Sequence, residues 1–301
     1  MHFGIHLPHF GRFGTTENIR RIAETAEALD YDSIWVSDHV VAPSVVLGYF
    51  GSSFWEPLTV LTYAAAVTKK VRLGTSVIIV PYRDPLITAK TIATIDQLSH
   101  GRVIFGAASG WLEPEFEALG QKFAERGEQT DEYLRIYKEA WTKEDPEFQG
   151  RYRTFKDLKF EPKPVQQPYP PLWIGGISKR AIRRAVEFGD GWQPVRTSLG
   201  DTKDCIATLR RTAERRGRAL DRFTISLRLP TWFADAKGSD DGQMITTADD
   251  MVARLAAYRE IGVGDVLVDF FLGIPHDPAT SVDTFVRAME RFARDVRPKV
   301  S

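Results

Sequence analysis

The sequence predicts an α/β protein, a (β/α)₈ barrel, and three observations support that prediction. Short apolar segments alternate with helical ones about eight times along the 301 residues, the element order of such a barrel. The apolar segments are rich in β-branched residues, as parallel strands buried on both faces should be. The alternative is an open doubly wound sheet, which normally carries a Gly-x-Gly-x-x-Gly loop after its first strand. This chain has no such motif there.

The first half of the chain shows the alternation. Phe3, Ile5 and Leu7 alternate with other residues until Pro8 ends the run, which predicts the first strand. Later helix ends are marked by proline at a first-turn position and by glycine after the last turn. The elements predicted next are a helix from Thr15 or Thr16 to Leu29, the strand Ile34–Val36, a helix over Glu56–Val67, the strand Arg72–Val80, a helix over Pro85–Leu98 and the strand Val103–Phe105.

The second half continues the pattern after a less regular region. We interpret residues 112–171 as an insertion within a single domain of residues 1–301, with its Pro-, Lys- and aromatic-rich part, Gly150 to Pro171, packing over one end. The elements predicted here are helices around Glu113–Leu119 and Glu128–Trp141, the strand Leu172–Ile174, a helix over Lys179–Phe188, the strand Gly191–Gln193, a helix over Leu199–Arg216, the strand Phe223–Leu227, a helix from Thr247 to Glu260, the strand Val266–Val268 and a last helix containing Val282 to Phe292.

The composition argues against several classes of protein. Lys plus Arg and Asp plus Glu number 40 each, and this zero net charge argues against a nucleic-acid binder. No apolar run reaches the length of a membrane span, and the first residues enter a strand without a basic and apolar leader. The single cysteine suits a reducing compartment. We therefore expect a soluble cytoplasmic protein with a small-molecule substrate and no nucleic-acid or membrane partner.

The most informative stretch is the second strand and the triplet Ser37-Asp38-His39 that follows it. In a barrel, the carboxyl ends of the strands carry the chemistry, and an acid beside an imidazole can move a proton or orient a ring. The dipeptide alone favours a plainer interpretation, in which Asp38 caps a turn and His39 is an ordinary polar loop residue, and the rest of the chain is what favours a site. The other strand ends supply small residues, backbone and aromatic side chains with no facing carboxylate pair, which suits a large flat ligand better than hydrolysis.

Gly175-Gly176 opens a helix that carries four basic residues, Lys179, Arg180, Arg183 and Arg184. Two glycines allow a ligand to approach the backbone, and a helix N-terminus favours an anion. A plain turn before a solvated basic face is the alternative. We expect no metal, because the six histidines include no H-x-x-x-H pair on a helix.

Several motifs occur together in one order along nearly the whole chain. They are Trp35-Val36-Ser37-Asp38-His39, Leu73-Gly74-Thr75-Ser76-Val77, Asp84-Pro85-Leu86 with Ala89-Lys90, Gly106 to Trp111, Phe160-Glu161-Pro162-Lys163-Pro164, Trp173-Ile174-Gly175-Gly176 and Phe188-Gly189-Asp190-Gly191-Trp192. With these motifs the chain resembles the luciferase-like monooxygenase superfamily, and most closely its branch that depends on the deazaflavin coenzyme F420. That superfamily has an insertion-bearing (β/α)₈ barrel.

The resemblance implies roles for particular residues. Asp38 and His39 correspond to positions beside the deazaflavin ring, with His39 as proton donor or electrostatic partner and Asp38 helping to orient the local network. The Ser76–Val77 peptide corresponds to a cis bond that forms a bulge behind the ring. The resemblance further implies that Ser109 and Gly110 make backbone contacts to the cofactor. It also implies that Gly175 and Gly176 form the loop that holds the cofactor's phosphate.

The chain departs from the F420-dependent sugar-phosphate dehydrogenases of this superfamily, because Trp111 stands where they carry an active-site glutamate. Trp111, Phe10 and Tyr49 suggest an apolar substrate pocket. The sequence thus predicts an F420-dependent oxidoreductase transferring a hydride to or from a small apolar substrate. The alternatives are an FMN-dependent monooxygenase and a non-catalytic flavin-binding protein. The wide apolar faces of the helices Glu56–Val67 and Pro85–Leu98 predict a homodimer.

Overall fold

A computed structural model of the protein describes residues 1–239, 241–273 and 279–300, with the side chains of Tyr49 and Phe50 outside that description. In the described residues, eight parallel strands pair in sequence order and close when the first strand pairs with the last. The predicted (β/α)₈ barrel is confirmed. The strands are β1 (His2–His6), β2 (Ser33–Val36), β3 (Arg72–Thr75), β4 (Val103–Ala108), β5 (Leu172–Ile174), β6 (Gly191–Trp192), β7 (Thr224–Phe233) and β8 (Asp265–Asp269).

A long helix follows each strand and covers the barrel. These helices are α1 (Thr16–Ala28), α2 (Pro57–Val67), α3 (Pro85–Leu98), α4 (Arg126–Thr142), α5 (Lys179–Phe188), α6 (Leu199–Arg215), α7 (Ala248–Glu260) and α8 (Val282–Asp295). Shorter helices, each of four to six residues, span Leu47–Phe50, Glu113–Ala118 and Phe270–Gly273. Within the described part of the chain, no helix combines the length and apolar character needed to cross a membrane.

The strand predictions differ from the structure most clearly at two strands, and one further strand was not predicted. The run predicted as Arg72–Val80 is two strands, β3 and Ile78–Ile79, because Ser76 and Val77 leave the ladder between them. The seventh strand extends ten residues to Phe233, and its end pairs with a further strand, Met244–Thr246, that the sequence did not indicate. The extra residues of β7 are in strand conformation because they pair with neighbouring strands. Local apolar periodicity does not encode such pairing, so the sequence did not predict them.

The region predicted as an insertion, 112–171, has mixed structure. It contains the short helix Glu113–Ala118, a small hairpin pairing Phe148–Gln149 with Thr154–Phe155, and the helix α4. Helix α4 packs beside α3 and thereby fills the helical layer between β4 and β5. The region therefore combines a helix of the barrel layer with the irregular segment that follows it.

Two tryptophans fill the inside of the barrel. The rings of Trp35 and Trp173 lie 5.3 Å apart within a separate buried cluster that also contains Ile104 and Leu267. Glycine on a neighbouring strand makes room for them, since a Cβ at Gly74 would lie 2.1 Å from Cε3 of Trp35. A barrel interior packed in this way cannot admit a ligand, so the chemistry is confined to the ends of the strands.

Candidate active site

The ring of His39 is held by a glutamate that sequence reasoning did not identify. Nδ1 of His39 lies 2.7 Å from Oε2 of Glu115, which comes from the short helix after β4. The Glu115 side chain is fully buried and that of His39 is 12% exposed. The pair therefore joins the loops that follow β2 and β4 at the carboxyl end of the barrel.

Glu115 accepts further hydrogen bonds that favour its charged form. The amides of Val40 and Val41 donate to its Oε1 at 2.6 and 3.2 Å, and the Tyr82 hydroxyl donates to Oε2 at 3.0 Å. Burial by itself would raise the pKa of the Glu115 carboxyl, but the contact with His39 and the two amides lower it overall. Because an ionised carboxylate only accepts hydrogen bonds, Nδ1 of His39 carries the hydrogen between them. Nε2 is then the ring nitrogen that can change protonation without breaking this bond.

Asp38 points away from this pair and binds an arginine. Its two carboxylate oxygens accept from Arg83 at 2.6 and 2.9 Å, and one of them also accepts from the Ile79 amide at 2.9 Å. Arg83 also donates to Glu56 at 3.0 Å. Burial opposes the charge on Arg83, but the two carboxylates raise its pKa. In the structure, Glu115 therefore holds the His39 ring, whereas Asp38 binds Arg83 and the amide of Ile79.

Two neutral histidines lie at the end of β1. Nε2 of His6 is 3.2 Å from the Ser37 hydroxyl, and Nε2 of His9 is 2.8 Å from the Ser37 carbonyl oxygen. Burial is the main cause that lowers the pKa of His9 to about 4 and the pKa of His6 well below its usual value, and the nearby Arg228 lowers both further. Both rings are therefore uncharged at neutral pH.

Two of the other predicted cofactor residues, Val77 and Gly175, lie in contact. The Ser76–Val77 peptide bond is cis, as the resemblance implied. A Cβ placed on Gly175 would lie 3.0 Å from Cγ1 of Val77 and 3.5 Å from Cβ of Ala108, so the ends of β3, β4 and β5 meet at Gly175. Ser109 follows β4 directly and is partly buried.

Two of these glycines adopt backbone conformations that other residues rarely take. Gly110 has φ of +78°, and a Cβ there would lie 2.7 Å from Ile79. Gly176 has φ of +102° and is exposed just before α5, whose N-cap residue, Ser178, accepts a hydrogen bond from the Ala181 amide. Glycine at both positions is thus required by the backbone.

The basic residues of α5 divide into two groups. Arg183 and Arg184 both bind the carboxylate of Asp131 at 2.5 Å and so hold α5 against α4. Lys179 and Arg180 lie exposed in the first turn of the helix, next to Gly176. Of the four cations that the sequence singled out, two are structural and two face solvent at the helix N-terminus.

The predicted substrate-pocket residues lie in different surroundings. Phe10 is 8% exposed and its ring stacks on Phe54 at 5.1 Å, which in turn contacts the ring of His39 edge-on at 5.0 Å. Trp111 is 61% exposed on the loop after β4. The side chain of Tyr49 lies outside the described residues. Over the part of the chain that is described, no cluster of His, Cys, Asp or Glu could hold a metal ion.

Glu115 and Arg228 are among the residues of this end of the barrel that the sequence left unnoticed, as are Tyr82 and Arg83. Arg228 lies within the apolar strand β7, and a charged residue in a buried strand was the signal that could have found it. Glu115 carries no such signal, because Glu113-Pro114-Glu115 reads as an ordinary acidic helix start.

Comparisons with known proteins agree with this architecture. The FMNH(2)-dependent dimethylsulfone monooxygenase of Pseudomonas putida is 29% identical over 204 residues, which are 67% of this chain and 54% of that protein, so the match spans about half of its length. Monooxygenase RslO1 from Streptomyces bottropensis superposes with a TM-score of 0.85 at 20% identity over 100% of both chains. An F420-dependent secondary alcohol dehydrogenase, in complex with an F420-acetone adduct, superposes with a TM-score of 0.82 at 19% identity, over 100% of this chain and 99% of the dehydrogenase chain.

The two structural likenesses, at such low identity, establish the fold alone. The family follows from the sequence, since residues 1–265 match the model described as luciferase-like monooxygenase. The chain therefore belongs to the luciferase-like monooxygenase family.

Proposed function

We propose that this protein is an F420-dependent oxidoreductase that transfers a hydride between the deazaflavin and a small, mainly apolar organic substrate. The observation that carries the proposal is the His39–Glu115 pair at the carboxyl end of the barrel. A histidine whose orientation is set by a buried carboxylate suits the proton transfer that accompanies hydride chemistry. It lies among aromatic side chains, Phe54 and Phe10, which suit an apolar substrate.

The described residues fit a flat ring with an anionic chain. Nδ1 of His6 is buried at the end of β1 with no hydrogen-bond partner among the described residues, which suits the polar edge of a ring or a water beside it. Gly176 and the start of α5 offer backbone amides and the positive end of a helix, with Lys179 and Arg180 alongside. This is the donor set that a phosphate requires.

Each part of the site has an assigned task in this proposal. Ser76, Val77, Ser109 and Gly110 would border the ring, and Gly175 and Gly176 would hold the phosphate. When bound, the deazaflavin supplies a carbon that accepts or donates the hydride. His39 would hold or release the proton at Nε2, while Glu115 keeps the ring in place through Nδ1.

An FMN-dependent monooxygenase is the second candidate, because the Pseudomonas putida relative is named FMNH(2)-dependent. A non-catalytic flavin-binding protein is a third. The first experiment is a parallel titration of the purified protein with F420 and with FMN, followed by fluorescence. We expect micromolar affinity for F420 and much weaker affinity for FMN.

The opposite order of affinities would favour the monooxygenase, and affinity for neither cofactor would contradict all three candidates. Turnover of the bound reduced cofactor with an oxidised organic substrate, under anaerobic conditions, then separates the enzyme from a non-catalytic binding protein. A reduced F420 complex that transfers no hydride to any of a panel of apolar ketones and enones would count against the oxidoreductase.

A further inference from the structure

Arg228, in the middle of β7, makes three contacts to residues at the ends of two other strands. Its Nε and Nη2 lie 2.8 and 2.7 Å from Oδ2 of Asp269, the last residue of β8. Its Nη1 donates to the carbonyl oxygen of Ser76, just after β3, at 2.7 Å. The side chains of Arg228 and Asp269 are both buried. A buried guanidinium shared between a carboxylate and a backbone carbonyl is an expensive arrangement to build, and it requires an explanation.

The carbonyl of Ser76 belongs to the same conjugated peptide unit as the amide of Val77. A charged donor on the carbonyl oxygen withdraws electron density from the unit and makes its N–H a stronger donor, since hydrogen bonds in a chain polarise one another. Val77 packs against Gly175, where the ends of β3, β4 and β5 meet. The unit that Arg228 contacts is therefore part of the surface that the proposed cofactor would border.

The nearby histidines cannot replace this charge. His6 and His9 are both buried and neutral, and Arg228 itself is one cause of their lowered pKa values. Asp269 has a second task, because its Oδ1 accepts from the amides of Phe271 and Leu272 at 3.1 and 3.0 Å and so starts the short helix after β8. Nε and Nη2 of Arg228 are both bound to Asp269, so Nη1 is the nitrogen that donates to the Ser76 carbonyl oxygen.

We propose that Arg228 is a positioning residue of the site, which holds the Ser76–Val77 peptide in place and strengthens the Val77 amide as a donor to the bound cofactor. The inference rests on the proposed function only in taking F420 or FMN as that cofactor. It adds to the site a residue from β7, a strand to which no predicted site residue belongs.

The test uses a double variant, Arg228→Met with Asp269→Asn. Removing both charges avoids an unpaired buried carboxylate, and asparagine can still accept from the Phe271 and Leu272 amides. The matched control is Arg102→Met. Arg102 also donates to backbone carbonyls, those of Ala65 and Val71 at 2.8 and 3.1 Å, but at the opposite end of the barrel. Its loss should lower stability without touching the site.

Two readouts are made at a temperature where every variant is folded. We expect the double variant to bind the cofactor that wild type prefers at least about tenfold more weakly, since the Ser76–Val77 peptide loses its charged partner and the Val77 amide becomes a weaker donor. The control should bind it as wild type does. In the cofactor-free protein, the ¹⁵N resonance of the Val77 amide should move upfield in the double variant and stay in place in the control.

Either unchanged affinity or an unmoved Val77 resonance in the folded double variant would overturn the proposal, and so would an equal loss of affinity in Arg102→Met. If the double variant does not fold, Arg228→Lys serves instead, because one ammonium group keeps the ion pair with Asp269 but does not span to Ser76. It should show the same two changes. The Val77 readout needs no cofactor, so a failure of the proposed function, in which wild type binds neither F420 nor FMN, is distinguishable from a failure of this inference.

Discussion

Nδ1 of His39 lies 2.7 Å from the carboxylate of Glu115, although 76 residues separate the two along the chain. The contact joins the loop after β2 to the loop after β4 across the carboxyl end of the barrel. It gives the histidine one orientation and one tautomer, and the consequences of that arrangement can be measured.

The first prediction concerns His39 itself. His39→Ala should keep most of its cofactor affinity, because contacts to the ring and the phosphate remain. It should lose at least about 10²-fold in single-turnover rate, the usual contribution of a general acid or base. If His39 only packs the loop, His39→Ala should instead melt at a lower temperature. Its single-turnover rate should then fall only in proportion to the folded fraction. Wild-type melting together with a near wild-type rate would remove His39 from the mechanism.

The second prediction concerns stability and pH at Glu115. Its pKa is lower in the folded protein than in the unfolded chain, so its contribution is fully present above the unfolded value, about 4.3. That contribution is lost as the pH falls through the lower folded value. Glu115→Gln should therefore reduce the free energy of unfolding by about 2 kcal/mol at pH 7, and by progressively less below about pH 5.

Denaturant unfolding of both proteins at several pH values measures this difference. Tyr82→Phe is the matched control, since it removes one donor to Glu115 and leaves the carboxylate in place. A difference between wild type and Glu115→Gln that grows as the pH falls would show that the assigned charge state is wrong.

The third prediction tests the phosphate position. Gly176→Asp should weaken cofactor binding more than tenfold, because it adds bulk and a like charge at the start of α5. Gly176→Asn is the control. Asparagine has nearly the same size and tolerates positive φ comparatively well, so it experiences similar backbone strain at φ of +102° without the charge. Equal affinities in the two variants would mean that the phosphate lies elsewhere.

The fourth prediction is a homodimer formed through α2 and α3. A groove between these helices is lined by apolar and small side chains such as Leu58, Tyr63 and Ala66, and Ile87 on its edge is 66% exposed. We expect light scattering at micromolar concentration to give the mass of two chains, and Ile87→Lys to give the mass of one. Leu98→Lys, also on α3 and 60% exposed but outside the groove, should leave the dimer intact. A monomeric wild-type protein would contradict the prediction.

Much of the fold could be predicted from the sequence because it depends on local regularities. Apolar strands of a few residues, helices with a repeat near 3.6 residues, and glycine or proline at their ends specify the order of elements. That order leads to a (β/α)₈ barrel, and the barrel places the residues after each strand at one end. His39 and the glycines before α5 could therefore be assigned to the same region from the sequence alone.

The partners of those residues were decided by the tertiary structure alone. Whether His39 is held by Asp38, its neighbour in sequence, or by Glu115 depends on how two loops of different length close over the barrel, and no local pattern encodes that distance. The same holds for Arg228 and Ser76, which meet because β7 and β3 face each other inside a closed barrel, and for Gly74, which is required by the ring of Trp35 on the next strand. Sequence periodicity determined which segments form strands and which end of each carries polar groups, whereas closure of the sheet and packing of side chains across it determined which of those groups touch.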